Sequence, residues 1–269
     1  TASGVSPPLG PERGGTRVVV LGGSFRDSYT LRCGFGSGAA PVLARFVDEN
    51  QLECIAPFHL PGVVKVLLSM NGQQYMDSGA TYEYQSALSV SFVSPGSVLA
   101  EGGTPITVHG SGFSSASEAL GLLTCRIGSA VRRAVWASSS ALVCNTTRAM
   151  AGSARVEVSN NAREYTSDGV RIKLVSVRVL DVQPWSGPLS GATVVSVRAF
   201  GAWPGGLRCR FGDGASSAGW NAGGSSRLRC VTPPSSAGMA GWVSMQLSSF
   251  SGALSSGGSF YYHSELTAS

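Results

Sequence analysis

TRVVVLGGSF (Thr16–Phe25) and TPITVHGSGF (Thr104–Phe113) each send successive side chains to alternate faces for several residues, then stop on glycine. A strand with one buried face, closed by a turn that uses glycine's positive φ, accounts for both. Strand-length segments of this kind recur about every 8–12 residues, separated by Gly, Pro and Ser. No window holds a 3.6-residue period, and the best helical stretch, ASEALGLL, is short. The pattern predicts an all-β chain.

The same phrase is written three times. SPPLGPERGGTRVVVLGGSF begins at Ser6, SPGSVLAEGGTPITVHGSGF at Ser94, and a worn copy, QPWSGPLSGATVVSVRAFG, at Gln183. Each copy is followed by one cysteine (Cys33, Cys125, Cys209) and then by a second (Cys54, Cys144, Cys230), at spacings of 21, 19 and 21 residues. Each ends on an alternating strand. Self-similarity at this period marks a repeated structural unit. The units predicted are 1–86, 87–175 and 176–269, each an antiparallel β-sandwich. Linkers of a few residues, QSAL and KLVS, leave little freedom between them, so three tandem sandwiches in an elongated rod are expected. Small-angle scattering checks this: the maximum dimension should be ~100 Å, taking roughly 30–40 Å per sandwich, and a compact profile would overturn the rod.

Two cysteines per unit, in register, select Cys33–Cys54, Cys125–Cys144 and Cys209–Cys230 as disulfides. Zinc is the competing use of paired cysteines. There is no CxxC, and the only histidines are His59, His109 and His263, so tetrahedral sites cannot be filled. Disulfides imply an oxidising compartment. The sequon Asn145-Thr146-Thr147 agrees, with Asn145 as the expected glycosylation site.

Composition narrows the function. Of 269 residues, 43% are hydrophobic and only 13% charged, with Gly 36 and Pro 13, which suits small cores joined by tight turns. No apolar run approaches the roughly 18 residues of a membrane helix. The start, TASGVSPPLG, lacks a basic segment followed by an apolar one. The chain is therefore expected to be a fragment of a longer protein, attached to a membrane only through a region outside it. Net charge runs from −1 up to Ala87 (six basic, seven acidic) to +3 over Leu88–Val175 (eight, five) and +3 from Ser176 (six, three).

V.SP..G...GGT.V.V.G..F, then C.FG, then C.AP, resembles the IPT/TIG family of immunoglobulin-like domains. The first copy carries Val5, Ser6, Pro7, Gly14, Gly15, Thr16, Gly23, Phe25, Cys33, Phe35, Gly36, Cys54, Ala56 and Pro57. The second matches from Val93 to Cys144 but has CNTT where the proline belongs. The third keeps Pro184, Gly191, Thr193, Cys209, Phe211, Gly212, Cys230 and Pro233, and is read as lacking the first glycine of GGT. The motif specifies turns and core, so it speaks to fold more than to function.

No catalytic residues, metal ligands or cofactor are expected. GxSxG, HExxH and phosphate-loop GK patterns are absent, and GFGSGA at Gly34 opens no helix. The family also occurs in DNA-binding transcription factors, but three disulfides do not suit a nucleus, and the cations are not clustered for phosphate tracking. No nucleic acid is expected. The resemblance to receptor stalks implies a non-enzymatic extracellular adhesion or receptor segment at a cell surface, meeting a protein ligand or counter-receptor. A passive spacer in a surface coat or cell wall, and a glycan-binding module, are the other readings.

The sharpest candidate surface is in the third unit. If Cys209 and Cys230 join neighbouring strands, Arg208, Arg210, Arg227 and Arg229 share one outward face, suited to acidic protein or an anionic glycan. If the bridge crosses between sheets, the arginines part. Trp203 and Trp220 lie in glycine-rich stretches and are expected to be exposed, with Trp136, Trp185 and Trp242 mostly core or junction residues.

Overall fold

Val18 and Val20 are buried on one side of the strand Arg17–Gly22, while Arg17 and Leu21 face outward. That alternation is what the sequence pattern demands of a half-buried strand. It recurs in Pro105–Ser111, Ala141–Asn145 and Val194–Phe200 of this computed structural model, which describes residues 2–201, 207–213, 216–221, 227–248, 255 and 257–264. Among the described residues the single helix is Ser115–Ala119, capped by the Ser114 hydroxyl, which accepts from the Ser117 amide.

Contacts divide the chain into two compact units. One comprises Thr1–Phe92, Val108–Val143 and Glu157–Val170, and the other Val93–Thr107, Cys144–Val156 and Arg171–Ser269.

Within the first unit, the first copy of the repeat forms eight strands. The strand Val42–Asp48 pairs with Gln51–Ile55 on one side and with Arg32–Phe35 on the other, so the strand order continues around the core. Val18, Val20, Leu52 and Cys54 on one side meet Cys33, Phe35, Val66 and Tyr82 from the other. The Cys33–Cys54 disulfide crosses this core, with both residues 1% exposed or less.

Within the second unit, the third copy is a sandwich of two separate sheets. Arg178–Gln183, Val194–Phe200, Arg227–Val231 and Trp220–Asn221 make one. Ser186–Pro188, Gly258–His263, Gly241–Ser248, Arg208–Phe211 and Ser216–Ala218 make the other. Val195, Val197 and Leu228 pack against Phe211, Met245, Leu247, Phe260 and Tyr262 between them. Cys209 in the second sheet is joined to Cys230 in the first. Cys125 and Cys144 are disulfide-bonded as well.

The GGT turn explains why the phrase recurs. Its first glycine is Gly14, Gly102 or Gly191, at φ 72°, 80° and 81°. A Cβ there would stand 2.5, 2.4 and 2.6 Å from the backbone of Pro57, Arg148 and Pro233 respectively. Only glycine fits, because both the dihedral and the space exclude a side chain. The next amide, of Gly15, Gly103 or Ala192, donates to the carbonyl of Ala56, Thr146 or Thr232. This equivalence corrects the sequence alignment. The third copy keeps the first glycine as Gly191 and has lost the second, whose place Ala192 takes at φ 61°.

Candidate functional site

Glu12, Gln85, Asn160, Asn161, Glu164 and Asp168 line a polar cleft in the first unit, where the chain passes from the first copy of the repeat into the second. Backbone amides and short polar side chains close it. The Glu12 carboxylate accepts from the Ala87 amide at 3.1 Å, and Asp168 from the Val90 amide at 2.8 Å. The Gln85 amide donates to the Ser114 hydroxyl at 3.0 Å. The Thr16 hydroxyl donates to Glu164 at 3.0 Å, and the Asn161 amide donates both to Glu164 and to the Leu9 carbonyl.

Glu164 therefore collects two donors in a partly buried place, which a surface carboxylate does not. Glu164→Ala leaves the Thr16 hydroxyl without its acceptor and the Asn161 amide with the Leu9 carbonyl alone. A loss of about 1–3 kcal/mol is expected in urea unfolding. A change within a few tenths would show the contact to be incidental.

Beside this cleft sit two tyrosines of the first core. Tyr82 is fully buried, and burial pushes its hydroxyl up to about 12, with Glu164 adding to the shift. Thr16 lies outside hydrogen-bonding geometry, since the Tyr82 and Tyr84 hydroxyls have no partner among the described residues. Burial raises Tyr84 further in the same direction. On the outer face of this copy, Glu53 is held below the usual carboxylate range by the Arg45 hydrogen bond, with Arg17 as second partner.

The four arginines of the third copy do not make one patch. Cys209 and Phe211 point inward in one sheet and Leu228 and Cys230 in the other, so alternation does send all four outward. Because the disulfide crosses between the sheets, Arg208 and Arg210 lie on one outer face and Arg227 and Arg229 on the opposite one. The shared basic surface is thereby excluded.

The tryptophans are also redistributed. Trp203 lies outside the described residues. Trp220 stands in a short strand opposite Arg229 and is 45% exposed. Trp185 and Trp242, expected in core or junction places, are more open at 57% and 64%, and their rings stack 5.8 Å apart. Trp136 is half-buried and donates to the Phe113 carbonyl at 3.1 Å. Asn145 is exposed at the end of the strand Ala141–Asn145, while Thr146 is buried against the Thr104 carbonyl, so the acceptor asparagine faces solvent. His109 stacks on the exposed Phe92 at 4.3 Å, and His59 on Tyr84 at 4.9 Å. Among the described residues no group of three His, Cys, Asp or Glu could hold a metal.

These features define an all-β, disulfide-bonded protein of tandem immunoglobulin-like sandwiches. The IPT/TIG domain family matches residues 1–84 and again 88–173, and the chain belongs to that family. Human Plexin-A4 is 26% identical over 151 residues, 53% of this chain and 8% of that protein. Human Fibrocystin-L is 26% identical over 168 residues, 61% of this chain and 4% of that protein. The chain thus spans less than a tenth of the curated relatives it matches. A structure of the full extracellular region of Plexin A4 aligns over 87% of this chain and 21% of its own, with 18% identity and a TM-score of 0.48. The segment is extracellular, of the receptor-ectodomain kind, built from domains that are non-catalytic in plexin-type ectodomains. No helix among the described residues is long and apolar enough to cross a membrane.

Proposed function

We propose that this segment is a non-enzymatic part of a cell-surface receptor or adhesion protein, made of three IPT/TIG modules at 1–86, 87–175 and 176–269, and that it works through protein–protein contact. The carrying observation is the tandem family match joined by a hydrogen-bonded, partly exposed polar junction at Gln85–Leu88. Such a junction fixes the first two modules without a flexible linker, which suits the presentation of a binding surface. Cys125–Cys144 completes the set of in-module bridges, Asn145 carries the glycan, and the anchor lies in the rest of the protein.

A tetramerised form of the segment, applied to live cells, tests this. Saturable binding that persists on cells already treated with glycan lyases and is then removed by trypsin supports a protein counter-receptor. The same junction favours the spacer reading, in which the segment binds nothing and an unrelated rigid insert of equal length restores the parent protein's function.

A further inference from the structure

The exposed rings of Trp185 and Trp242 raise a physical question, because apolar area of that size in water is unfavourable unless it is used. Their indoles are within 20° of parallel. Tyr261 lies 5.3 Å from Trp242 and 6.5 Å from Trp185, so three rings occupy one corner of the five-stranded sheet's outer face. The backbone fixes them: Trp242 is directly opposite Tyr261, and the Tyr261 amide donates to the Trp185 carbonyl at 2.9 Å.

The fold does not ask for rings there. Strand pairing gives the same three places in the other copies. In the first they hold Pro8, Val63 and Glu83, and in the second Gly96, Ser153 and Lys173. Both copies build the same pairing without an aromatic at any of the three. The rings are therefore a property of the third copy alone.

What lies beside them indicates the chemistry. Along the strand Gly241–Ser248, Ser244 and Gln246 follow Trp242 on the same face, and Arg210 stands opposite Gln246. At about 3.3 Å per residue, roughly 13 Å separate the ring corner from the Gln246 level. Arg210 donates to the Gly212 carbonyl and lies 3.9 Å from the fully exposed Asp213, so its guanidinium is steered by a weak, solvent-screened partner. The row runs from flat rings through a hydroxyl and an amide to a guanidinium, with no aliphatic side chain between.

We propose that the outer face of this sheet is a binding site for an acidic oligosaccharide. The Trp185–Trp242–Tyr261 corner stacks on the apolar face of a pyranose ring, Ser244 and Gln246 hydrogen-bond to ring hydroxyls, and Arg210 pairs with a carboxylate or sulfate. Parallel exposed indoles suit the flat face of a sugar, and the polar row of Ser244, Gln246 and Arg210 beside them does not suit the apolar core of a protein interface. Arg208 and Arg210, both on this outer face, favour an anionic chain over a neutral one.

The full chain is titrated by calorimetry and tryptophan fluorescence with a heparin hexasaccharide, a hyaluronan hexasaccharide and neutral cellohexaose. Saturable 1:1 binding of at least one anionic probe is expected, and which one binds tells sulfate from carboxylate recognition. Trp242→Ala and Trp185→Ala should each weaken it by about tenfold or more, while Trp242→Tyr keeps most of it. Arg210→Gln should weaken it and flatten its salt dependence, and Arg229→Gln, on the opposite sheet, should not. Both tryptophans are exposed, so melting temperatures should move little. The proposal fails if no anionic probe saturates, if binding ignores the tryptophan substitutions, if cellohexaose binds as tightly, or if the corner captures a protein and none of the saccharides.

Discussion

Replacing Cys33 and Cys54 together with alanine is expected to destabilise the first module by about 2–5 kcal/mol and leave the third module's unfolding unchanged. Both cysteines are buried, and they join strands on opposite sides of the core. The loop they close has a sequence separation of 21 residues. In the chain-entropy account a loop near that length contributes about 3 kcal/mol, and two buried alanines leave space where two sulfurs packed. Small sandwiches bury a modest fraction of their surface, so the loss is large against their whole stability. Hydrogen exchange resolved by peptide locates the effect. Protection should fall in Arg17–Gly22, Gln51–Ile55 and Gly62–Ser69 and persist in Gly241–Ser248. Loss of protection throughout would show that the modules do not fold as separate units. Non-reducing peptide mapping of the parent chain should recover Cys125 with Cys144, and a bridge between modules would overturn the three-module reading.

Much of this was legible in the sequence because turns and cores obey local rules. The positive-φ glycine of GGT, the alternating strand behind it and the in-register cysteines each depend on residues within one copy, and three copies made the signal self-checking. The arginine patch was not legible for the opposite reason. Whether Arg208 and Arg229 share a face depends on which strands neighbour one another, and the spacing of Cys209 and Cys230 is equally compatible with a bridge within a sheet or between sheets. The tryptophans failed similarly. Trp185 and Trp242 sit in alternating strand contexts that resemble core positions, and only cross-strand register shows them outward beside Tyr261. The polar junction left no sequence signal at all, since Thr16 and Glu164 are 148 residues apart and meet only through folding.

Raising the pH above 10 is expected to unfold the first module before the third. A tyrosine in the unfolded chain ionises near 10.0, whereas Tyr82 in the folded core does so at about 12. The folded-state value is the higher one, so the stabilisation is complete below pH 10 and is lost as pH rises toward the folded value. Over that window the unfolded chain releases a proton that the native chain keeps, and two pKa units correspond to about 2–3 kcal/mol. Tyr84 is shifted in the same direction by its own burial and by the Tyr82 charge, which deepens the loss. The third module feels it less, since its Tyr262 is raised by burial without the large shift of Tyr82 and Tyr84. Tyr82→Phe separates this from general alkaline damage. Its lost hydroxyl had no hydrogen-bond partner, so stability at neutral pH should stay within about 1 kcal/mol, while the loss above pH 10 should shrink. Denaturant unfolding across the alkaline range, followed beside tyrosinate absorbance, gives both quantities. If Tyr82→Phe and the parent chain lose stability in parallel, burial of this tyrosine is not what limits the module at high pH.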